Sequence, residues 1–337
     1  MHILIRTGPF YPGIGGMEAV IQMLAEEFAR AGHQVTVTTS SLNDKPDVFP
    51  FRVLRRPSLC RLWLAHREAD VVIFGNISLW WFFMLCLCMR PWIATHHGWY
   101  CELGRPRQWL ERLKVALLGF ASANVSVSAA VNRFLGNPGI VIPNPFDHET
   151  FRLMPEVPRN QDMVFLGRLV SDKGADVLVE ALALLKKKGV CPGLTVIGGG
   201  PELENLQKQA TSLAVEKQIR FVGPRRGEEL ARELNAHRIM VIPSRWHEPF
   251  GVVALEGIAC GCVIVASSGG GLPEAAGDCG VTFPNSDTHA LAERLAEVLT
   301  RPELVERLRA AAPEHLARHN RVHVAGAYLE VLQHVVI

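Results

Sequence analysis

Two glutamates, Glu248 and Glu256, stand eight residues apart in the stretch 243–257, which reads PSRWHEPFGVVALEG. A proline and a glycine between them are typical of a helix start, where free backbone N–H groups point out of the helix end. Carboxylates accept hydrogen bonds from vicinal diols, so the pair suits ribose or hexose hydroxyls better than an anion. The alternative is two solvated acids flanking a helix. A zinc HExxH site is excluded, because glycine stands where the second histidine belongs.

Two cations, Arg168 and Lys173, stand five residues apart in FLGRLVSDKG, residues 165–174, around a predicted strand-to-helix turn. Arginine offers a planar fork and lysine a point charge, and together they can neutralise a diphosphate. The sequence contains no Asp-x-Asp, so we expect neither a bridging metal nor another cofactor. The alternative is an exposed pair of cations beside a helix start.

Two glycine clusters could suggest dinucleotide binding. In GIGGME, residues 13–18, Glu18 occupies the third glycine position of GxGxxG, and the second predicted strand ends in Thr-Thr-Ser without an acid for a ribose. In GGGPEL, residues 198–203, leucine occupies that position. A nicotinamide dehydrogenase is therefore disfavoured.

A tryptophan-rich, basic stretch lies in the first half of the chain. Between Arg52 and Lys114 there are ten Arg or Lys against four Asp or Glu, and six of the seven Trp fall there (positions 63, 80, 81, 92, 99 and 109). Tryptophan with basic residues around an apolar segment suits a membrane–water interface. The alternative is that the apolar segment 79–89 is a buried helix of the first domain.

These residues lie in a chain that alternates apolar strands with amphipathic helices, which predicts parallel sheets covered on both faces. Strands are predicted at 2–7, 34–39, 70–74, 92–96, 124–128 and 140–143, then at 163–166, 194–197, 219–222, 239–243, 263–266 and 281–283. Two such series predict two doubly wound domains joined near the prolines of 145–158. Ligands in such folds sit at the carboxyl ends of strands, so we expect a site in a cleft between the domains.

The bulk composition is that of a globular protein of two ordinary domains, with 337 residues, 48% hydrophobic and 20% charged. A net charge of +2 gives no general affinity for nucleic acid. The eight cysteines form no CxxC framework and read as small buried side chains of a reducing cytosol. No signal peptide is apparent, and the longest apolar run, 77–89, is too short to span a bilayer. We expect a cytoplasmic protein, with peripheral attachment to the inner face of the plasma membrane if the tryptophan stretch binds lipid.

Seven segments, in order, resemble glycosyltransferase family 4, the retaining enzymes of the GT-B architecture. Glu248 and Glu256 after Pro-Ser look like its double-glutamate signature, and residues 165–174 resemble its G-R-x-x-x-x-K-G segment. Residues 196–201 (VIGGGP) resemble its V-G-x-G-P turn, and residues 263–274 (VIVASSGGGLPE) resemble its closing strand and glycine turn. Residues 15–18, 95–98 and 142–147 match weaker signatures of the N-terminal domain.

The resemblance covers essentially the whole chain and implies two Rossmann-like domains facing across a cleft. It implies an acceptor-binding domain at 1–150, a nucleotide-sugar-binding domain at 151–312 and a C-terminal helix at 313–337 that packs back on the first domain. Glu256 would bind the ribose, Glu248 the transferred sugar, and the loop after Val222 the base. By resemblance, the donor-binding residues are Gly15, Gly16, Gly199, Val222, Gly223, Phe250, Gly251, Val252 and Glu256.

By the same resemblance, the catalytic residues are His97, Arg168, Lys173 and Glu248. His97 fits the T-x-H-G spacing better than its neighbour His96, although a structural histidine tied to backbone is the alternative. Retaining members of the family are described by front-face displacement, in which the leaving phosphate accepts the acceptor proton. That reaction depends on electrostatic stabilisation of the leaving group, which places Arg168 and Lys173 at its centre.

The expected activity is transfer of a hexose from a UDP-sugar, or secondly GDP-mannose, to a saccharide or lipid-linked acceptor in cell-surface polysaccharide synthesis. The open alternative is another nucleotide-sugar or sugar-phosphate enzyme of this architecture, an epimerase or a phosphorylase. A pyridoxal-dependent phosphorylase would need a Schiff-base lysine, for which no motif is apparent. A non-catalytic binding protein is disfavoured by the presence of all four charged site residues.

Overall fold

The chain is built on two parallel β-sheets, each in its own compact unit. The computed structural model describes residues 1–13, 15–76, 89–101, 108–136 and 139–336. Unit 1 comprises Met1–Pro145 together with His319–Ile337, and unit 2 comprises Phe146–Arg318. The sequence-based boundaries at 150 and 312 lie five and six residues from these divisions.

Unit 1 contains a seven-stranded sheet in the order β3-β2-β1-β4-β5-β6-β7, in which every neighbouring pair is parallel. Its strands are β1 (His2–Thr7), β2 (Gln34–Thr39), β3 (Arg52–Arg55), β4 (Val71–Gly75), β5 (Trp92–His96), β6 (Ala123–Ser126) and β7 (Ile140–Val141). Its described helices are α1 (Gly16–Arg30), α2 (Leu59–Glu68), α3 (Trp109–Leu117), α4 (Ala129–Leu135) and α13 (Arg321–Val336).

Unit 2 contains a six-stranded parallel sheet in the order β10-β9-β8-β11-β12-β13. Its strands are β8 (Gln161–Leu166), β9 (Leu194–Ile197), β10 (Ile219–Gly223), β11 (His237–Ile242), β12 (Val263–Ser267) and β13 (Gly280–Phe283). Its helices are α5 (Ala175–Lys187), α6 (Leu203–Ser212), α7 (Gly227–Asn235), α8 (Val252–Ala259), α9 (Leu272–Ala276), α10 (Thr288–Thr300), α11 (Pro302–Ala310) and α12 (Ala312–Arg318).

The strands are short apolar runs because both faces of each sheet are covered by helices. All six residues of β1 and all five residues of β12 are buried. Such strands need not alternate apolar and polar residues, since neither face meets water. The predicted two-domain parallel α/β fold is therefore confirmed.

The C-terminal helix α13 belongs to unit 1, where it packs on α1. The guanidinium of Arg321 forms an ion pair with Glu27, with Nε 2.7 Å from Oε1, and the rings of Phe28 and Tyr328 meet edge to face at 6.5 Å. The preceding helix α12 stays in unit 2, where its buried His315 bonds the carbonyl oxygen of Ala275 at 2.9 Å. The chain therefore returns to its first unit after completing the second.

Sequence patterns say least about the structure of two regions, strand β3 and the apolar run 77–89. The sequence does not predict β3, because it is a half-exposed edge strand, RVLR, without a continuous apolar run. The apolar run 77–89 falls, except for Met89, outside the described residues. Within the described ranges, no helix is long and apolar enough to cross a bilayer.

Candidate functional site

The predicted donor-binding segments of unit 2 meet at one edge of its sheet. Because the strands are parallel, their carboxyl ends lie together. Arg168 follows β8, Gly199 follows β9, Val222 and Gly223 end β10, and the loop that carries Glu248 follows β11. The order β10-β9-β8-β11 also places the reversal of the strand order between β8 and β11, where open α/β sheets bind ligands.

The turn after β9 is held against the segment after β8 by backbone contact. Gly198 and Gly200 have φ of +146° and +159°, and a Cβ atom would lie 1.8 Å from the Gly167 oxygen and 2.3 Å from the Leu169 oxygen, respectively. The Leu169 amide also donates to the Gly199 carbonyl at 3.0 Å. These glycines are therefore required because two segments of the chain approach closely, and because their backbone conformation is one that other residues avoid.

The Lys173 segment is held in the same way against the loop after β11. At Gly174, with φ of +67°, a Cβ atom would lie 2.0 Å from the Pro243 oxygen. The amides of Arg245 and Trp246 both donate to the carbonyl of Asp172, at 2.9 and 3.1 Å. The cationic segment and the glutamate loop are thus fixed by main chain as well as by side chains.

Asn285, which the sequence-based reasoning missed, joins two further segments. Its side chain accepts from the Gly269 amide at 2.7 Å and donates to the Ser244 carbonyl at 3.0 Å. The neighbouring Gly271 amide donates to the carbonyl of Glu248 at 2.7 Å. The only available sequence signal was the polar residue after Pro284 at the end of β13, which does not distinguish a bridge from an ordinary turn.

Lys173 and Glu248, predicted to face different parts of a donor, contact each other. The Lys173 ammonium pairs with the Glu248 carboxylate, whose Oε1 also accepts from the Ser244 hydroxyl at 3.0 Å. The two side chains are 28% and 15% exposed, so water reaches the pair. The Arg168 side chain is exposed and makes no ion pair or hydrogen bond within the described residues. It is therefore a cation at this edge that is available to an incoming anion.

Helix α8 starts at this edge and carries Glu256 on its second turn. Gly251 precedes it with φ of +104°, and Phe250 is buried at 2% exposure beneath the helix start. The side chain of Leu272 lies 2.4 Å from the position of a Gly251 Cβ atom, so this turn accepts only glycine. Val252 is the first residue of the helix, whose amides have no partner in the preceding turn.

Glu256 is an unusual carboxyl group. Burial, followed by the negative charge of Asp147, raises its pKa to about 7. Within the described residues its carboxyl group accepts no hydrogen bond and forms no ion pair. A desolvated carboxyl group without donors gains from a ligand that brings O–H donors, and a ribose diol has two.

At the end of β10 the backbone leaves open space. Gly223 has φ of +72°, and no atom lies within 4 Å of a Cβ position there. Its carbonyl accepts from the Gly198 amide at 3.0 Å, which joins the ends of β9 and β10. The predicted base-binding loop is therefore anchored on one side and open on the other.

In unit 1, the adjacent His96 and His97 have different partners at the end of β5. His96 is fully buried, with Nδ1 3.0 Å from the Tyr100 hydroxyl and Nε2 3.1 Å from Asn124 Oδ1. Both of its ring nitrogens are occupied, so it is a structural histidine. The Nδ1 atom of His97 is buried without a hydrogen-bond partner within the described residues.

The hydrogen bonds around His97 assign its tautomer. Its Nε2 lies 3.2 Å from the Thr95 hydroxyl, which itself donates to the Phe74 carbonyl at 3.0 Å. Thr95 must therefore accept from Nε2–H, which leaves Nδ1 as a bare acceptor. Burial and then the neighbouring His96 lower the pKa of His97 to about 4, with the Asn144 side chain opposing part of the shift. His97 is neutral at physiological pH and presents a lone pair.

The glycines predicted to bind an anion lie at the start of α1. A Cβ atom on Gly15 would lie 2.3 Å from Glu18 Oε2, so a carboxylate already occupies that side of the helix start. At Gly16 no atom lies within 4 Å of a Cβ position. Open space for an approaching group is therefore found beside Gly16 and not beside Gly15.

The tryptophans of the basic stretch that the structure describes have different surroundings. Trp92 is buried in β5, where it packs on Phe74 at 5.7 Å, and Trp99 packs on Phe134 at 5.2 Å. Trp63 lies under Arg67, and Trp80, Trp81, Arg105 and Arg107 lie outside the described residues. Trp92 and Trp99 therefore cannot be counted toward an interfacial surface as the sequence-based reasoning counted them.

Helix α3 turns its apolar side to solvent. Trp109 is 71% exposed, and Phe120, just beyond the helix, is 72% exposed, while none of the helix residues is buried. Leu110 and Leu113 are each more than 40% exposed. A surface helix normally buries such a stripe, so this arrangement is inverted.

Comparison with known proteins assigns the chain to a family. Residues 14–150 match the family model described as Glycosyltransferase Family 4, and residues 151–315 match the one described as Glycosyl transferases group 1. The chain belongs to glycosyltransferase family 4. The resemblance seen in its motifs is therefore confirmed.

Curated relatives of this family 4 chain include proteins that act on inositol-containing acceptors. It is 35% identical to a D-inositol 3-phosphate glycosyltransferase of Saccharomonospora viridis, over 50% of this chain and 42% of that protein. It is 27% identical to a GDP-mannose-dependent alpha-(1-6)-phosphatidylinositol monomannoside mannosyltransferase of Mycolicibacterium smegmatis, over 94% and 93%. The first similarity spans less than half of the relative's length.

Among solved structures, Anabaena HepE in complex with UDP has the same fold. The superposition has a TM-score of 0.83 and covers 99% of this chain and 100% of HepE, at 21% identity. At that identity the likeness establishes the fold alone, which is GT-B.

Proposed function

We propose that this protein is a retaining, metal-independent hexosyltransferase that uses a nucleotide-diphosphate sugar. The observation that carries the proposal is the gathering of Arg168, Lys173, Glu248 and Glu256 at the carboxyl edge of the unit 2 sheet. This edge offers cations for phosphates and carboxyl groups for hydroxyls, which matches the chemistry of a nucleotide sugar.

The Lys173–Glu248 pair implies an exchange of partners when the donor binds. Lys173 moves from the carboxylate to the diphosphate beside Arg168, and Glu248 is released to accept hydrogen bonds from the transferred sugar. Glu256 binds the ribose, which supplies the donors that its carboxyl group lacks. The amides at the start of α8 lie near the sugar, and the loop after Gly223 meets the base.

In the proposed reaction, the bond between the anomeric carbon and the diphosphate oxygen breaks while the acceptor oxygen bonds to the same face of the carbon. The acceptor proton passes to the leaving phosphate oxygen. Arg168 and Lys173 stabilise the charge that develops on that phosphate. His97, with a pKa near 4, is a weak base, so its bare Nδ1 accepts a hydrogen bond from a sugar hydroxyl and does not remove the proton.

The central experiment is nucleotide calorimetry with UDP, GDP and NAD. We expect micromolar binding of UDP or GDP, and a loss of about ten- to a hundredfold in Arg168→Ala, because a charge-assisted contact is removed. Arg238→Ala is the matched control, since Arg238 is a partly exposed cation at the opposite end of β11. Binding of NAD without UDP or GDP would overturn the proposal.

A panel of nucleotide sugars identifies the base and the sugar of the donor. Each compound is tested for hydrolysis by the protein and for protection of the protein from thermal unfolding. UDP-sugars are the first choice and GDP-mannose the second, the latter supported by the name of the Mycolicibacterium smegmatis relative. Activity that persists in EDTA supports metal independence. Proton NMR of the new glycosidic bond tests retention, and an inverted anomer contradicts it.

For the acceptor, the proposal is a saccharide or lipid-linked molecule used in cell-surface glycan synthesis. It is supported by the inverted helix α3, whose exposed Trp109 lies in the stretch 52–114 with its surplus of basic residues, and by the exposed Phe120 just beyond that helix. Exposed aromatic side chains with nearby cations fit an anionic bilayer. Helix α3 thus attaches the protein peripherally to the cytoplasmic face of a membrane.

Sedimentation with vesicles containing phosphatidylglycerol at low salt tests this attachment. We expect Trp109→Ser with Phe120→Ser to abolish sedimentation and Val48→Ser to leave it unchanged, because Val48 is a 91% exposed apolar residue outside the helix. Equal sedimentation of all variants, or none of the wild type, would contradict the assignment.

A further inference from the structure

A cavity of about 250 Å³ opens at the carboxyl edge of the unit 1 sheet, beside β1 and β2. His97 follows β5, so the cavity lies on a different part of the same edge. Its lining includes Arg6, Arg56 and the hydroxyl residues Thr38, Thr39 and Ser40, and no carboxylate. None of these residues belongs to the donor-binding or catalytic set described above.

Arg6 is a buried cation whose described contacts include an aromatic ring and a histidine. Its guanidinium lies over the ring of Phe74 at 5.6 Å, and one amino group is 3.4 Å from His66 Nε2. His66 donates from Nδ1 to the Leu62 carbonyl at 2.8 Å, which leaves Nε2 as an acceptor for Arg6. Burial lowers the pKa of His66 to about 4 and that of Arg6 to about 9. A bound anion would offset the desolvation of this guanidinium.

Arg56 stands at the rim of the cavity in a fixed position. Its φ is +42°, an uncommon conformation for arginine, and its amide donates to the Thr39 carbonyl at 2.8 Å. Its Nε donates to the Ser40 carbonyl at 2.9 Å. Its two terminal amino groups make no hydrogen bond within the described residues, so they are available to a ligand.

The three hydroxyl groups around the cavity differ in their hydrogen bonding. The hydroxyls of Thr39 and Ser40 both donate to the Gly8 carbonyl, at 2.7 and 2.8 Å, and form its wall. The hydroxyl of Thr38 is buried without a hydrogen-bond partner in the described part of the chain. A buried hydroxyl without a partner is uncommon, and a bound group with oxygen acceptors would satisfy it.

We infer that this cavity binds a phosphate group carried by the acceptor. The buried guanidinium of Arg6, the two open amino groups of Arg56 and the unpaired hydroxyl of Thr38 can all donate hydrogen bonds. Such a set of donors suits a phosphate monoester or diester. A ribose is disfavoured, because the end of β2 offers Thr-Thr-Ser and no acid. That the phosphate belongs to the acceptor rests on the proposed function, whereas the anion site itself does not.

The sheet order sets the size of such an acceptor. β1 and β5 are separated by β4 alone, and β2 lies one strand further away. At the usual spacing between strands, the cavity and the end of β5 are about 10–14 Å apart. The acceptor would therefore carry its phosphate at least one sugar ring away from the hydroxyl that reacts.

Inorganic phosphate is the probe, titrated calorimetrically into the full chain at pH 7.5 with the ionic strength held constant by chloride. We expect millimolar binding that is weakened about tenfold or more in Arg56→Ala and about two- to tenfold in Thr38→Val. Arg52→Ala is the matched control, because Arg52 is an exposed arginine at the other end of the same strand β3. Arg6→Ala is avoided, since removing a buried cation threatens the fold, and melting curves verify each variant.

Arg168→Ala separates this site from the donor site. Binding that survives Arg168→Ala and is lost in Arg56→Ala supports the inference whether or not UDP or GDP binds. Binding that is lost only in Arg168→Ala overturns the inference and leaves the donor proposal intact, and absence of any phosphate binding also overturns it. A competing titration with glucose 1-phosphate or with a short-chain phosphatidic acid then identifies a soluble or a lipid source for the phosphate.

Discussion

At the carboxyl edge of the unit 2 sheet, polar groups are positioned by main chain packed on main chain, through Gly198, Gly174 and also Gly270, where a Cβ atom would lie 2.1 Å from the Glu248 oxygen. At the same edge of the unit 1 sheet, they are positioned by side chains, as in the pairing of Thr95 with His97 and of His66 with Arg6. The two parallel sheets thus position their polar groups by different means. A main-chain frame suits an invariant ligand such as a nucleotide, whereas side chains can change with the acceptor.

The substitution Gly198→Ala tests directly whether main-chain contact positions the polar groups of unit 2. A Cβ atom 1.8 Å from the Gly167 oxygen forces two segments apart at φ of +146°, and we expect a loss of about 2–5 kcal/mol in the free energy of unfolding of unit 2. Nucleotide affinity should fall at least tenfold. Gly189→Ala is the control, because its φ of +80° is also positive but its surroundings are empty, and it should cost about 1 kcal/mol.

Urea unfolding monitored with nucleotide binding checks this prediction. Equal losses of unfolding free energy in the two glycine variants would contradict it. They would show that backbone conformation, and not contact between the segments, determines the structure of the carboxyl edge of unit 2.

The second prediction concerns Glu256, the unsatisfied carboxyl group of the unit 2 frame. Its pKa is raised from 4.5 to about 7, so the native state holds a proton that the unfolded chain has lost. Stability of the ligand-free protein should therefore fall as pH rises from about 4.5 to 7. At pH 8, Glu256→Gln should raise the free energy of unfolding by on the order of 1–3 kcal/mol, and near pH 4 it should have little effect.

The same substitution should weaken nucleotide binding about ten- to a hundredfold, because the amide cannot accept from both ribose hydroxyls as strongly. In the wild type, affinity should rise with pH up to about 7, since the ionised form binds. Calorimetry in two buffers of different ionisation enthalpy measures the proton released. A variant that is neither more stable at pH 8 nor weaker in nucleotide binding would remove Glu256 from the site.

The third prediction contrasts the two histidines of unit 1. His96→Ala removes the partly buried hydrogen bonds to Tyr100 and Asn124 and leaves a cavity at a fully buried position, and should cost about 2–4 kcal/mol of stability. His97→Ala should cost less than about 1 kcal/mol but lower kcat/KM about five- to thirtyfold, through loss of one hydrogen bond to a sugar hydroxyl. With a pKa near 4, His97 should leave no inflection in the activity profile between pH 5.5 and 8.

Thermal melts and initial rates over that pH range separate the two histidines. If His97→Ala lost stability and not activity, its role would be structural.

Sequence periodicity located most strands because buried parallel strands are continuous apolar runs, and β1, β2, β5 and β9 agree with their predicted limits. The residues of the donor edge could be named because their motifs resemble those of the family. The Lys173–Glu248 contact could not, since it joins side chains 75 positions apart whose relative placement depends on Gly174 meeting Pro243. The same holds for Asn285 and for the cavity around Arg6, which depend on contacts between strands and not on local spacing.

The smallest effect is expected at Ser244, which tests whether side chains add to the frame of unit 2. Its hydroxyl donates to Glu248 at 3.0 Å beside the Lys173 contact. Ser244→Ala should leave the main-chain contacts intact, shift the melting temperature by only a few degrees and raise the donor KM about two- to tenfold. Ser267→Ala is the control, because Ser267 is a buried serine at the end of the neighbouring β12 whose hydroxyl bonds the Ile242 carbonyl instead. An equal change in donor KM for both serines would mean that packing at strand ends, and not the orientation of Glu248, sets donor affinity.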